Sequence, residues 1–191
     1  TATGSFDITC DKTATMRWAT AGAANCGILF EFDASSNTLN SVELPQLYSP
    51  AINSSFAIPN YSSGAGYAYD LTSRVGAAIE IQGGNRANYY VHNAQGWTTA
   101  IYARATASSA LANINIAYNT IDFCTRGVAI DSGTSAHGNG VTEIRIKGNT
   151  NWAKFPLYFE STYNWVHALT HDLQSAFVNE DGGCIVYAEG V

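Results

Sequence analysis

The sequence predicts an all-β protein, a right-handed single-stranded parallel β-helix with three strands per rung. Apolar triplets that alternate between inward and outward positions recur along the second half of the 191-residue chain, as in half-buried strands. Three triplets make one unit, and the units differ in length, as expected when insertions enter the turns of a coil. Only 13% of the residues are charged, which is typical of a solenoid surface rather than of amphipathic helices.

The triplets define the predicted strands in chain order. The first, second and third strands of each unit are 79–81, 89–91 and 100–102; 114–116, 121–123 and 128–130; 144–146, 152–155 and 157–159; and 167–169, 176–178 and 185–187. Strands of the same rank in successive units are expected to stack about 4.8 Å apart. This stacking predicts that Glu80, Asn115 and Arg145 form one outward column.

The chain is predicted to be a single β-helix domain over residues 1–191. Residues 1–44 form irregular N-terminal rungs, and residues 75–191 form the regular rungs with little helix. Residues 45–74 between them contain three of the four prolines and are predicted to be a loop excursion from the coil, because long loops in compact domains are uncommon.

Asparagine and glycine occur where the predicted strands must turn, as in Gly148-Asn149. Both residue types tolerate positive φ. Asn119 and Asn149 follow their triplets at the same distance, so their side chains could also bond to each other along the coil. The sequence leaves open whether they do so or only form turns.

Charge and motifs exclude several classes of function. A net charge of −6 argues against nucleic-acid partners and against an anionic membrane surface. The sequence contains no apolar run of 18 residues that could span a membrane. It shows no metal-ligand spacing and no cofactor fingerprint, so neither a metal nor a cofactor is predicted. Cys10 and Cys26 could form a disulfide in an oxidising compartment, which the sequence leaves open.

Three segments carry a family resemblance. INIAYNTIDFCTRGVAID (114–131), VTEIRIKGNT (141–150) and GILFEFDASSNTL (27–39) resemble rungs of the β-helix domains of bacteriophage tailspikes and tail appendages, a pectate-lyase-like superfamily. The resemblance implies a virion receptor-binding module that attaches to bacterial cell-surface glycan, located in the virion tail or outside the cell. The Trp-Ile-Asp-His-like run of polysaccharide lyases is absent, which puts a metal-dependent lyase in doubt.

The third predicted strand carries an outward apolar column of Ala129, Tyr158 and Val186. Exposed apolar patches mark contacts, and tailspike-like coils assemble as three-fold bundles. The column therefore predicts a homotrimer interface. Coverage of the same column by residues 45–74 is the alternative.

Two carboxylates follow the third strand in successive units, Asp131 after Ile130 and Glu160 after Phe159. Stacked rungs would place them about 5 Å apart, where one carboxyl group can stay protonated beside an ionised partner. A separation of about 5 Å also suits a retaining glycosidase. Asp131 and Glu160 are thus the candidate catalytic pair, although acidic residues at strand ends are commonly only solvated or paired.

Four further residues are predicted to bind ligand around this pair. Arg104 falls on the neighbouring rung, and Tyr158, His137 and Trp165 could stack on sugar rings or relay protons from adjoining loops.

Three hypotheses for the function follow. The first is a module that binds bacterial surface glycan through aromatic, amide and hydroxyl groups. The second is a glycan depolymerase of the glycoside hydrolase type that uses Asp131 and Glu160 on capsule or cell-wall polysaccharide. The third is a secreted structural or adhesive β-solenoid. The sequence does not identify the glycan or the host.

Overall fold

The computed structural model describes residues 7–11, 13–17, 26–31, 40–49, 75–133, 140–160, 166–167, 169–176 and 183–188. These segments contain strands and no helix, so none of them has a helix that could cross a membrane. The strands are β1 (Asp7–Ile8), β2 (Thr15–Arg17), β3 (Cys26–Glu31), β4 (Asn40–Tyr48), β5 (Val75–Gln82), β6 (Gly84–Gln95), β7 (Trp97–Arg104), β8 (Leu111–Asp122), β9 (Arg126–Asp131), β10 (Val141–Trp152), β11 (Phe155–Phe159), β12 (Val166–His167), β13 (Thr170–Ala176) and β14 (Val186–Ala188).

The strands form two sheets in which every described pairing is parallel. The long-strand sheet has the order β1-β4-β6-β8-β10-β12, with β2 paired to β4 and β13 paired to β10. The short-strand sheet has the order β3-β5-β7-β9-β11-β14. From β3 to β11 the chain alternates between the sheets, and we call one long strand with the short strand after it a rung. The all-β parallel prediction is confirmed, and the alternation is compatible with a β-helix.

In the second predicted unit, the first two predicted strands lie on one long strand. Residues 114–116 and most of 121–123 belong to β8, which continues through Asn119. Pairing between β8 and β10 skips from Tyr118 and Gly148 to Thr120 and Thr150. The spacer between the two triplets is thus an interruption within one strand rather than a separate turn.

The predicted register of the first unit is wrong. Residues 79–81 lie in β5 of the short-strand sheet, where Glu80 pairs with Tyr102. Asn115 instead pairs with Asn88 and Arg145 in the long-strand sheet. Since long and short strands carry the same apolar triplet, the pattern alone did not show which sheet a triplet joins.

A continuous apolar core lies between the sheets. Its fully buried columns are Ile79, Ile101 and Val128 from the short strands, and Ile114, Ile144, Ile116 and Ile146 from the long strands. Burial of such side chains contributes about 25 cal/mol per Å² of apolar surface. Apolar residues at one register position thus stack from one rung to the next.

Strand β4 runs through Pro45 to Tyr48, beyond the predicted stop at Pro45. Its pairing with β6 skips this position, from Leu44 and Val91 to Gln46 and Asn93. Proline has no N–H to donate, so it is tolerated at a position without a ladder bond. Residues 50–74 of the predicted excursion lie outside the described residues.

Cys10, Cys124 and Cys184 form no disulfide. Cys10 is partly exposed and unbridged, whereas Cys124 is fully buried in the core. Cys124 and Cys184 lie in or beside predicted strands, which predicts buried thiols for both; this holds for Cys124, whereas Cys184 is only partly buried. The structure contains no Cys10–Cys26 disulfide.

Tyr118 and Gly148 are complementary in shape between neighbouring rungs. They pair directly in register, and a Cβ atom at Gly148 would overlap the Tyr118 ring. The Tyr118 hydroxyl accepts a hydrogen bond from Asn151 Nδ2 at 3.0 Å, and Asn151 Nδ2 also donates to the Pro156 carbonyl at 3.2 Å. Gly148 was expected to serve a turn, but it provides room for the ring.

We expect Gly148→Ala to lower the free energy of unfolding by about 1–3 kcal/mol, because the added methyl group overpacks the core against Tyr118. Urea denaturation of purified protein measures the change. Lys147→Ala, at an exposed position of the same strand, is the control and should stay within about 0.5 kcal/mol of the wild type. Equal effects of the two variants would contradict this packing.

The buried tyrosines predict loss of stability in alkali. Burial raises the pKa of Tyr118 to about 12, and it raises the pKa of Tyr89 as well. The unfolded chain has a tyrosine pKa of about 10, so the folded state favours the neutral hydroxyls. This contribution is complete below about pH 10 and is lost as the pH rises towards the folded values. Urea midpoints between pH 8 and 12 should fall above pH 10, together with the appearance of tyrosinate absorbance. Ionisation of Tyr118 at pH 10 in a fully folded protein, measured as the tyrosinate absorbance that Tyr118→Phe removes, would contradict the prediction.

Candidate functional site

The outer face of the short-strand sheet contains a cleft of about 530 Å³. We call it the short-strand cleft. Its charged and hydrogen-bonding lining residues include Glu80, Gln82, Tyr102, Arg104, Arg126 and Glu160.

In-register pairing positions these side chains. Glu80 pairs with Tyr102, and Tyr102 pairs with Ala129 on the next strand. Two residues further along, Gln82 pairs with Arg104 and Arg104 pairs with Asp131. The first set of paired residues forms one column and the second set forms another. Because alternate residues of a strand point to the same face, both columns contribute to the outer surface.

Asp131 is held by two hydrogen-bond donors. The Tyr102 hydroxyl donates to its Oδ2 at 2.9 Å, and the Gly133 N–H donates to its Oδ1 at 2.8 Å. Arg104, which was predicted only to lie on the neighbouring rung, pairs directly with Asp131 in register. Its Nε atom, however, lies 2.9 Å from Glu80 Oε1, an ion-pair contact without the angle of a hydrogen bond.

Glu160 follows β11, and its backbone N–H donates to the Ile130 carbonyl at 3.0 Å. Its Oε2 lies 3.2 Å from Arg126 Nη1. The Arg126 guanidinium stacks 4.0 Å above the centre of the Tyr158 ring, and its Nη2 donates to the Tyr158 hydroxyl at 3.3 Å. A cation–π contact and an ion pair therefore hold Arg126 in one position.

Residues 128–130 and 157–159 are equivalent in successive rungs, as predicted, because Val128, Ala129 and Ile130 pair with Leu157, Tyr158 and Phe159.

Both candidate carboxylates also affect the pKa of the Tyr102 hydroxyl. Burial raises the pKa of Tyr102 far above its usual value, and the charges of Asp131 and Glu160 raise it further. The predicted separation of about 5 Å between the two carboxylates stays a prediction.

An aromatic group continues the outer face towards the last described strand. The Tyr158 and Tyr187 rings stack with 5.1 Å between their centres, and Phe155 lies 4.8 Å from Tyr187. Tyr187 pairs with Tyr158, whereas Val186 pairs with Leu157, so the predicted outward position of Val186 is wrong by one residue. The apolar run Ile185-Val186-Tyr187 does not alternate in polarity and left this register undetermined.

Two of the three residues of the predicted trimer column are buried within the chain. Ala129 is 0% exposed and Tyr158 is 4% exposed, whereas Val186 is 54% exposed. Little apolar area therefore remains at Ala129 and Tyr158 for a partner chain to cover. The homotrimer stays a prediction.

The structure brings four of the six predicted site residues to this face, namely Asp131, Glu160, Arg104 and Tyr158. His137 and Trp165 lie outside the described residues. The sequence did not single out Tyr102, Arg126 and Tyr187 as site residues. Arg126 stands beside Gly127, which favours a turn from sequence, but it starts β9.

The site offers fixed hydrogen-bond donors and acceptors without a metal cluster. Among the residues that the structure describes, no three His, Cys, Asp or Glu side chains come together in a way that could hold a metal ion. Asp131 and Glu160 both serve as hydrogen-bond or ion-pair acceptors. Comparison of the chain with family models, with curated proteins and with solved structures found no match.

We expect Tyr102→Phe to lower the free energy of unfolding by about 1–2 kcal/mol, because the partly buried Asp131 carboxylate loses a hydrogen-bond donor. Urea denaturation measures the change. Tyr90→Phe, on the long-strand sheet, is the matched control and should have a smaller effect. Identical midpoints for Tyr102→Phe and the wild type would show that the Tyr102–Asp131 bond contributes nothing.

Proposed function

We propose that this protein is a glycan-binding module of the phage tailspike type, which attaches to bacterial cell-surface glycan through the short-strand cleft. The observation that carries the proposal is the cleft itself, where carboxylate, guanidinium, amide and phenol groups meet on one rigid sheet face. Such groups donate to and accept from sugar hydroxyls. A concave site with a few convergent polar groups is typical of ligand binding.

Tyr187 supports a saccharide rather than a fully polar ligand. Its partly exposed ring is backed by Phe155 and Tyr158. Aromatic rings supported in this way can stack on the apolar face of a sugar, and aromatic contacts contribute about 0.5–1.5 kcal/mol beyond area burial.

The site is also pre-organised. Ladder hydrogen bonds hold the backbone, and the contacts between Glu80 and Gln82 at 2.7 Å and between Arg126 and Glu160 at 3.2 Å hold the side chains. Side chains that are already ordered lose less conformational entropy on binding.

On the same resemblance we propose the finer architecture and location. The coil is right-handed, as almost all parallel crossover connections are. Each rung has three straight legs, two of them within the long strand on either side of positions such as Asn119 and Asn149. The protein is a homotrimer in the virion tail or outside the cell, and sedimentation that gives a monomer near 20.4 kDa would contradict the trimer.

A bacterial glycan array tests the binding proposal. We expect wild-type binding to a surface polysaccharide, and a loss of affinity of about fivefold for Tyr187→Ala and for Gln82→Ala. Tyr90→Ala, on the opposite sheet, should bind as the wild type does. The melting temperature of each variant separates loss of contacts from unfolding. Absence of any bound glycan, or equal affinities for all variants, would contradict the proposal.

A glycoside hydrolase is the second candidate. It is favoured by the equivalent positions of Asp131 and Glu160 in successive rungs and by their joint effect on Tyr102. One of the two carboxyl groups would have to donate a proton to the leaving oxygen. Asp131 accepts bonds on both oxygens, so this role would fall to Glu160, which is ion-paired with Arg126. Glycan binding therefore ranks first.

Incubation with the bound polysaccharide and measurement of new reducing ends separates the two candidates. In a hydrolase, Asp131→Asn or Glu160→Gln should abolish cleavage while the protein stays folded. In a binding module, no reducing ends appear with the wild type. A chain that binds no glycan and assembles into fibres would instead support the structural or adhesive alternative.

A further inference from the structure

The outer face of the long-strand sheet contains a second cleft, of about 230 Å³, on the opposite side of the core from the first. We call it the asparagine cleft. Its polar lining consists of Arg86, Asn88, Asn113, Asn115, Glu143 and Arg145.

Three of these residues share an unusual backbone conformation. Arg86, Asn113 and Glu143 have φ values of 61°, 53° and 54°. The residues on either side of them are paired between neighbouring strands, so the three residues occupy the same register position in β6, β8 and β10. Asparagine tolerates this left-handed region, whereas arginine and glutamate are strained there. The same left-handed conformation therefore recurs in three successive strands, and all three residues line the cleft.

The two arginines of this cleft differ from those of the short-strand cleft. Arg104 and Arg126 each contact a glutamate. Arg86 and Arg145 form no ion pair with any residue that the structure describes, although both line the cleft. With Glu143, the cleft carries one net positive charge in a chain whose net charge is −6.

Asparagine amides line the cleft between the two arginines. Asn115 Nδ2 donates to Asn88 Oδ1 at 2.8 Å, and Asn113 Nδ2 donates to Asn85 Oδ1 at 2.9 Å. An amide group has two N–H donors, and each of these bonds uses one. Asn113 and Asn115 thus each keep a further donor, and their orientation is fixed by the ladder.

We propose that the asparagine cleft binds the oxyanion groups, sulfate or carboxylate, of an acidic polysaccharide. Arg86 and Arg145 supply charge and paired N–H donors, which match oxyanions, and the asparagine amides supply neutral donors between them. The guanidiniums belong to strands two rungs apart, about 10 Å along the coil, so a chain with repeated oxyanions can contact both. The negative charge of Glu143 repels an oxyanion and limits the affinity of the cleft for it. This site does not depend on the function proposed for the short-strand cleft.

Titration with dextran sulfate, with neutral dextran as the matched control, tests the site at low salt. The negative net charge of the protein disfavours non-specific attraction of a polyanion, so binding reports a local site. We expect the wild type to bind dextran sulfate and not dextran. The double variant Arg86→Asn with Arg145→Gln should lose affinity by about tenfold or more. Asn fits the backbone at position 86, so this variant should keep its melting temperature.

Two further variants separate the site from general charge and from misfolding. Lys154→Gln removes a positive charge near the other sheet and should change affinity by less than about twofold. Glu143→Gln should raise affinity by about threefold, because it removes a repelling charge. A folding defect cannot produce such an increase.

Inorganic sulfate in a parallel titration distinguishes the source of the oxyanion. Arginine-dependent binding of sulfate alone identifies a simple oxyanion site, and arginine-dependent binding of dextran sulfate alone identifies a polysaccharide site. The proposal is overturned if neither probe binds, if the double variant and Lys154→Gln lose affinity equally, or if Glu143→Gln weakens binding.

Discussion

Backbone hydrogen bonds between successive rungs determine where every described side chain of the regular part lies. Each strand of a sheet pairs in parallel with the strand one rung away, as β8 does with β6 and β10. Residues at one register position therefore stack in columns about 4.8 Å apart. The same hydrogen bonds place apolar columns between the two sheets and polar columns on their outer faces. A shift of one residue in the pairing would exchange the two kinds of column.

The stacking of equivalent residues in columns explains how two clefts of different chemistry arise on the outer faces of the two sheets. In the short-strand cleft, oppositely charged residues stack beside each other, and Glu80 and Glu160 hold the two arginines. In the asparagine cleft, amides stack on amides, and the two arginines have no described acidic partner. A short-strand cleft with paired charges suits neutral hydroxyl groups, whereas unpaired guanidiniums suit oxyanions.

The core between the two sheets tolerates polar groups where neighbouring rungs satisfy them. Asn151 is fully buried, but its amide bonds to Tyr118 and to the Pro156 carbonyl, and its Oδ1 accepts from the Ala153 N–H at 3.3 Å. Gly127 leaves room for Asn151 because a Cβ atom there would overlap the amide. Small residues thus permit large or polar side chains on the next rung, and shape complementarity between rungs adds to the ladder in holding one register.

The sequence by itself determined the parallel all-β class, the equivalence of 128–130 with 157–159, and the placement of Arg104 on the rung next to Asp131, because alternation and unit spacing are local patterns. It also suggested the stacking of Asn119 and Asn149, which are joined at 2.9 Å. Only the tertiary structure decided which sheet Glu80 joins, whether Val186 or Tyr187 points outward, and that Arg126 caps Tyr158. These features depend on which strand is hydrogen-bonded to which, and repeated apolar triplets are compatible with several such pairings.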